Sequence, residues 1–111
     1  MTNKISLPPK FLIDRYKNWK SSEYLKYKVK FRKLASSGQS PSTMVISCCD
    51  SRIHATSIFE ADEGEFFIHR NIANLVPPYS PDGANHGTSA AIEYAIKELK
   101  VKHLILSLIH I

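Results

Sequence analysis

A short apolar run that ends in a cluster of reactive side chains constrains this chain most. Met44-Val45-Ile46 is followed almost directly by Cys48-Cys49-Asp50-Ser51-Arg52. A brief, continuously apolar run bounded by turn residues is typical of a strand buried on both faces of a parallel sheet. We therefore expect the cluster at the point where a buried strand opens into a loop. In an open α/β sheet, ligands bind there, outside the carboxyl ends of the strands.

The other apolar segments predict an α/β fold with a parallel β-sheet core flanked by helices. Periodicity and turn signals indicate strands at 43–47, 65–69 and 101–107, and helices at 9–19, 22–36, 55–59 and 88–100. The alternation of strands and helices implies parallel pairing, with helices covering the sheet faces. In the last helix we expect a buried stripe of Ile92, Ala95, Ile96 and Leu99. The long loop at 70–86 is of a kind that is often functional.

The charge of the chain is concentrated at its amino end. Residues 1–33 carry ten Lys or Arg against Asp14 and Glu23, a net charge of +8, while the remainder carries five against eight, a net charge of −3. Apolar residues recur there at helical spacing, namely Tyr24, Tyr27, Phe31 and Leu34. This pattern predicts an amphipathic helix whose apolar stripe docks on another surface and whose lysines face water. It does not identify a nucleic-acid-binding module.

Cysteine use and hydropathy indicate the compartment. The two cysteines are adjacent in the chain, a placement that rarely meets disulfide geometry, so we expect free thiols. No apolar run approaches the ~20 residues of a membrane span, and the amino terminus lacks a secretory signal pattern. We therefore expect a cytoplasmic protein that binds neither nucleic acid nor membrane.

Cys48 and Asp50 form a candidate metal site. Zinc takes sulfur, imidazole and carboxylate ligands, usually four in a tetrahedron, and these two residues can supply two of them. Arg52 would hold the carboxylate ionised. The alternative is that Cys48 is a small packing residue at the end of a strand. Cys49 should point to the opposite side and pack there.

A nucleophilic cysteine is the second chemical reading. Phosphatase-like and rhodanese-like loops need an arginine six residues after the thiol, but those positions hold His54 and Ala55. A Cys–His dyad remains open. Arg70-Asn71 should follow a strand and lie at the same edge as Asp50. Gln39 precedes the first strand and reaches that edge only if its loop folds over. The alternatives are a salt bridge for Arg70, a turn residue at Asn71 and plain solvent exposure for Gln39.

With these residues assembled, the chain resembles a β-class carbonic anhydrase. Five segments occur in the family's order and carry the resemblance: Gly38-Gln39-Ser40-Pro41, Cys48-Cys49-Asp50-Ser51-Arg52, the run from Phe67 to Pro78, the run from Gly87 to Ala95, and Val101-Lys102-His103-Leu104-Ile105-Leu106. Together they extend over nearly the whole chain. The resemblance implies zinc-dependent, reversible hydration of carbon dioxide to bicarbonate and a proton.

The resemblance also assigns roles to single residues. Cys48 corresponds to the first zinc ligand. Asp50 and Arg52 resemble the family's dyad, in which the carboxylate ligates zinc at rest or accepts a hydrogen bond from the attacking hydroxide. Gln39 matches a glutamine that hydrogen-bonds substrate. Three residues match family positions that line an apolar pocket for carbon dioxide, namely Phe67, Ile72 and Tyr94. In the family that pocket often lies across a dimer interface.

The resemblance implies a domain organisation and an assembly as well. Residues 1–37 would form an amino-terminal helical arm that contacts a neighbouring subunit, and residues 38–111 a partial α/β core, incomplete relative to the family fold. A homodimer or higher homo-oligomer is expected.

The carboxyl end departs from the family pattern. There the family has His-x-x-Cys-Gly-Gly, which supplies two more zinc ligands, whereas this chain has Ile109 at the histidine position and His110 one residue late. We expect a truncated family member, in which residues 107–111 are either foreign sequence joined to an interrupted gene or the end of a genuinely short product. The alternative function is a catalytically inert fragment that retains only the association arm.

Overall fold

The computed structural model describes residues 6–80 and 86–106. The chain divides into two compact units, residues 1–36 and residues 37–111. The first unit contains two helices, α1 (Lys10–Ser21) and α2 (Glu23–Ser37). Pro9 precedes α1 and its carbonyl accepts the Leu12 amide at 3.0 Å. Ser22 separates the two helices with a φ of −128° and a ψ of −84°, close to the predicted start of the second helix.

The apolar stripe of α2 packs against the aromatic residues of α1. The Trp19 ring lies 5.3 Å from that of Tyr24 and 5.9 Å from that of Phe31, between centroids. Tyr24 and Phe31 stack at 5.6 Å. This contact confirms the helical spacing read from the sequence. Neither helix contains a buried residue, however, so this aromatic cluster stays partly open.

The second unit is built on a parallel three-stranded sheet in the order β2-β1-β3. Its strands are β1 (Thr43–Cys48), β2 (Phe66–Asn71) and β3 (His103–Leu106). Both neighbours pair with β1 in parallel, as expected, and all six residues of β1 are buried. The short helix α3 (Ala55–Ile58) lies between β1 and β2 in the chain.

The core forms between β1 and the helix that precedes β3. Met44 and Ile46 pack on Ala95, and all three side chains are buried. Four partly buried residues surround them, namely Phe67, Ala91, Ile92 and Val101. Apolar burial of this kind is the main favourable contribution to folding, and it fixes β1 as the centre of the sheet.

The last helix differs from its prediction. It begins as α4 (Gly87–Glu93) and continues as a π-helical segment over Tyr94–Glu98. In that wide turn the Leu99 amide donates to the Tyr94 carbonyl at 3.0 Å. Ala95 is buried in the core, as predicted, but Ile96 is 53% exposed, so the predicted burial of Ile96 is wrong. The predicted stripe assumed the regular α-helical period, whereas both residues lie in a segment with i→i+5 bonding.

Strand β2 also extends further than predicted. It ends at Asn71, so Arg70 pairs with Ser47 and Asn71 pairs with Cys48 within the sheet. The predicted residues 101 and 102 precede β3, and residue 107 lies outside the described residues. None of the helices in 6–80 and 86–106 combines the length and apolar character needed to cross a membrane.

Candidate functional site

Cys48 is the last residue of β1, and its side chain is buried. Cys49 lies beyond the strand and is exposed, so the expectation that it packs is wrong. The Cys49 amide still donates to the Asn71 carbonyl at 3.0 Å and extends the pairing with β2 by one bond. Both cysteines are free thiols. The structure therefore presents one sheltered sulfur and one solvent-exposed sulfur at the carboxyl edge of the sheet.

The Cys48 sulfur accepts a backbone hydrogen bond. The Ala73 amide donates to Cys48 Sγ at 3.3 Å. Ala73 lies in a single 3-10 turn, Ile72–Asn74, with φ 61° and ψ 21°, and Asn74 has a φ of 45°. These are left-handed conformations that residues other than glycine rarely adopt. A strained turn after β2 thus brings an N–H group to the sulfur at the end of β1.

Asp50 and Arg52 form a two-point ion pair. Arg52 Nη2 lies 2.7 Å from Asp50 Oδ2, and Nε lies 3.0 Å from Oδ1. The Arg52 backbone amide also donates to Oδ1 at 2.8 Å. The carboxylate side chain is 19% exposed and the guanidinium side chain 82% exposed. The Asp50 carboxylate is therefore held in one orientation, whereas the Arg52 side chain is open to solvent.

This geometry stabilises the ionised form of both groups. The Arg52 side chain, and then its backbone amide, hold the pKa of the Asp50 carboxyl well below its ordinary value. The hydrogen bonds that Arg52 donates to Asp50 raise the pKa of the Arg52 guanidinium. Nearby Cys48 adds a smaller contribution of the same sign to that arginine pKa. Asp50 is thus a carboxylate at neutral pH and can only accept hydrogen bonds.

Arg70 determines the shape of the loop that carries these residues. Its Nε donates to the Cys48 carbonyl at 2.7 Å, and its Nη2 donates to the carbonyls of Asp50, at 2.8 Å, and Ile53. The sequence placed Arg70 at this edge, and its alternative reading as a salt-bridge residue does not describe these bonds. The guanidinium instead anchors the backbone from Cys48 to Ile53.

The side chains of Asn71 and His69 both contact the hydroxyl group of Thr88. Asn71 Nδ2 lies 3.1 Å from Thr88 Oγ1, and His69 Nε2 lies 2.9 Å from the same oxygen. Asn71 also exchanges two hydrogen bonds with the Leu75 backbone, from Nδ2 to the carbonyl at 2.8 Å and from the amide to Oδ1 at 2.7 Å. The sequence indicated a turn role for Asn71, and its amide does close the turn after β2.

Two of the predicted substrate-pocket residues lie together. The rings of Phe67 and Tyr94 are 5.9 Å apart between centroids. Phe67 pairs with Met44, and Asn71 with Cys48, so alternation along β2 places Phe67 on the same sheet face as Cys48. Ile72 follows β2 directly, but its side chain is 73% exposed.

Gln39 lies in the loop before β1, whose opposite end carries Cys48. It is exposed and precedes Ser42, whose backbone lies at the amino end of the sheet. β1 spans about 17 Å from that end to Cys48, at roughly 3.3 Å per residue. Within the described ranges Gln39 has no hydrogen-bond partner. Ser42 is held at that end by backbone bonds with Glu65 and Lys102, at 3.1 and 2.7 Å.

A separate cavity of about 530 Å³ is lined in part by residues of α4. It is mostly apolar and is lined by residues that include Val76, Tyr79, Ile92 and Ile96. None of the predicted site residues lines it. The cavity is therefore distinct from the Cys48–Arg52 loop.

Two contributors to the site have little or no sequence signal. The Ala73 amide contacts the sulfur from a left-handed backbone conformation, and an alanine in the sequence does not predict such a conformation. Thr88 acts through its hydroxyl, and the sequence placed it only at the start of a predicted helix. In the described part of the chain, no three His, Cys, Asp or Glu residues are arranged to hold a metal ion. Cys48 and Asp50 are two donors, and residues 109 and 110 lie outside the described residues.

Known proteins are similar to this chain in both sequence and fold. A family model described as carbonic anhydrase matches residues 43–107. A carbonic anhydrase of Synechococcus elongatus is 38% identical over 94 residues, covering 85% of this chain and 34% of the relative. One of Emericella nidulans is 47% identical over 75 residues, covering 68% of this chain and 30% of the relative.

Solved structures are similar to this chain in fold as well. The β-carbonic anhydrase CcaA has a TM-score of 0.79 at 32% identity, over 86% of this chain and 41% of that one. One of two tetrameric β-carbonic anhydrases from Sordaria macrospora has a TM-score of 0.73 at 38% identity, over 86% of this chain and 46% of that one. The chain spans about a third of the length of the curated relatives it matches.

Proposed function

Because the chain belongs to the β-class carbonic anhydrases and covers part of that fold, we propose that its site serves the reversible hydration of carbon dioxide to bicarbonate and a proton. The observation that carries this proposal is the Asp50–Arg52 pair, held by three hydrogen bonds two residues after the Cys48 thiol. A fixed, ionised hydrogen-bond acceptor beside a sheltered thiol is suited to activating and orienting a water molecule.

Zinc is the metal that fits the donors present. Cys48 and Asp50 offer a thiol and a carboxylate, which are both zinc ligands. They supply two donors of the usual four, so the remaining ligands would lie outside the described residues. Bound zinc would supply a water molecule whose pKa is lowered to about 7 and which is therefore nucleophilic at neutral pH.

Asp50 and Arg52 would act together on that water. Because Asp50 stays ionised, it would accept a hydrogen bond from that water and so orient the water's oxygen toward substrate. Arg52 occupies both carboxylate oxygens and restricts Asp50 to one orientation. If Asp50 instead ligates the metal at rest, the same arginine would compete with the metal for its oxygens.

Substrate would bind on the apolar side of this site. The Phe67 and Tyr94 rings form a wall on the sheet face of Cys48, and an uncharged, nonpolar molecule needs such a surface. Gln39 lies toward the other end of β1, so we infer that a second copy of the chain supplies the glutamine that contacts substrate. Ile72, with its exposed side chain, would complete the pocket in the same way.

A homo-oligomer is therefore part of the proposal. Support comes from the first unit, where Val29 is 82% exposed and Phe11, Leu12 and Leu25 are also exposed. Exposed apolar side chains on paired helices favour burial against another protein surface. We place the assembly in the reducing cytoplasm, where the two free thiols would stay reduced.

The test uses two matched Asp-to-Asn substitutions. Asp50 and Asp14 each lie 2.7 Å from a cationic side chain, but Asp14 pairs with Lys10 on an exposed helix. Carbon dioxide hydration is followed by stopped-flow with a pH indicator, and zinc content is measured on the same purified protein. We expect Asp50→Asn to lower the rate at least 100-fold relative to the parent chain and Asp14→Asn to leave it unchanged.

Each contrary result points to a different reading. Near-zero zinc content and no hydration by the parent chain would favour the inert fragment. Activity that survives chelation but is lost on alkylation would indicate a thiol enzyme using Cys48. Equal rates for the two variants would remove Asp50 from the proposed chemistry.

A further inference from the structure

We propose that Asn71 is a positioning residue, whose side-chain amide holds the turn at Ile72–Asn74 so that the Ala73 amide points at Cys48 Sγ. The consequence of this role for metal binding rests on the proposed function, because Cys48 Sγ is also the proposed zinc ligand. The role of Asn71 in holding the turn does not depend on a metal.

The Asn71 side chain spans the turn from one side to the other. Its Oδ1 accepts the Leu75 amide at 2.7 Å, and its Nδ2 donates to the Leu75 carbonyl at 2.8 Å. Together these bonds tie the residue before the turn to the residue after it. The three residues between them, Ile72–Asn74, must therefore form a compact loop.

The loop needs such a constraint because its backbone is unfavourable. Ala73 has a φ of 61° and Asn74 a φ of 45°, which are left-handed values for residues with a Cβ. Strained conformations persist only when surrounding contacts determine them. The Asn71 bonds are contacts of that kind, since they act at both ends of the turn.

Asn71 is itself fixed to the neighbouring elements. Its remaining amide hydrogen can reach Thr88 Oγ1 at 3.1 Å, so both N–H donors have partners. Its backbone carbonyl accepts the Cys49 amide at 3.0 Å, and its Cα pairs with that of Cys48. These bonds therefore fix the position of the turn at Ile72–Asn74 relative to the end of β1, which carries the Cys48 sulfur.

The consequence is a defined orientation for the Cys48 sulfur. The Ala73 amide is its hydrogen-bond donor at 3.3 Å. A sulfur held by a fixed donor has fewer directions left for a metal bond. Outer partners that orient a ligand typically change metal affinity 10–100-fold when they are removed.

The experiment measures amide hydrogen exchange at position 73 by NMR of the full chain. Asn71→Ala should speed exchange at this position at least 10-fold, while the amides of Met44 and Val45 in β1 change less than twofold. Asn71→Asp keeps the oxygen that accepts from Leu75 and loses both donors. It should give an intermediate rate, and it replaces Asn71→Ala if that variant does not fold.

A second substitution separates a local role from general stability. Ala73→Gly removes the Cβ that makes the left-handed turn unfavourable, and in the Asn71→Ala background it should restore at least threefold of the lost protection. Lys100→Gly is the control, because Lys100 also has a positive φ, of 53°, but lies before β3. Equal rescue by both glycines, or exchange at position 73 within twofold of the parent in Asn71→Ala, would overturn the proposal.

Cobalt titration then distinguishes this inference from the proposed function. A thiolate-to-cobalt absorption band in the parent chain, with an affinity at least 10-fold lower in Asn71→Ala, supports both. An unchanged affinity overturns the positioning role of Asn71. If the parent chain shows no band, the metal role of Cys48 fails, and the exchange rates alone decide whether Asn71 holds the turn.

Discussion

The Arg70 guanidinium donates to the carbonyl oxygen of Cys48 at 2.7 Å, 22 residues earlier in the chain. The same side chain donates to the carbonyls of Asp50 and Ile53. One side chain from β2 thus gathers the backbone of the loop that follows β1. Parallel pairing makes this possible, because the carboxyl ends of both strands lie at the same edge.

Replacing Arg70 tests how much the loop depends on this contact. Lysine keeps the positive charge but lacks the planar set of donors that reaches three carbonyls. We expect Arg70→Lys to lower the free energy of unfolding by about 2 kcal/mol, since hydrogen bonds to charged groups contribute about 1.5–3 kcal/mol. Urea denaturation measures the change.

Arg32→Lys provides the control for that substitution, because Arg32 is exposed on α2. Its free energy of unfolding should stay within about 0.5 kcal/mol of the parent. Equal stability of Arg70→Lys and the parent chain would show that charge alone is sufficient at position 70.

The ion pair predicts a specific pH dependence. Asp50 has an ordinary pKa of 3.8, and hydrogen bonds from Arg52 lower the pKa in the folded state. The unfolded chain therefore binds a proton first, and stability linked to Asp50 is complete above about pH 4. It is lost as the pH falls below that value toward the lowered folded pKa.

Carboxyl ¹³C NMR of the Asp50 side chain measures this titration. In the parent chain the Asp50 signal should remain that of a carboxylate at pH 3, where an ordinary aspartate is mostly protonated. Arg52→Gln removes the largest cause of the shift and should move the titration upward. A midpoint near 4 in the parent would contradict the observed pair.

The two adjacent thiols should react at different rates. Cys49 is exposed, whereas Cys48 is 7% exposed and accepts the Ala73 amide. Reactivity requires access to the thiol, so iodoacetamide should alkylate Cys49 at least 10-fold faster than Cys48 in the folded protein. Peptide mass spectrometry assigns the sites, and denaturation in urea should bring the rates together. Faster labelling of Cys48 would mean that β1 does not end as described.

Local sequence patterns were sufficient for the elements that depend on periodicity. The apolar run before Cys48 predicted a fully buried strand, and β1 is buried at all six residues. The alternation of strands and helices predicted parallel pairing, which both neighbours of β1 show. These features follow from side-chain period and hydrophobicity, which a linear sequence contains.

The tertiary structure alone decided the details that arrange the site. The contact of the Ala73 amide with Cys48 Sγ and the three carbonyls bound by Arg70 join residues that are 17 to 25 positions apart in the chain. Likewise, the exposure of Ile96 and the location of Gln39 followed from packing and strand direction. Composition and spacing specify which side chains reach the sheet edge. Their orientation there depends on hydrogen bonds between segments that are distant in the chain, and such bonds have no signature in local sequence.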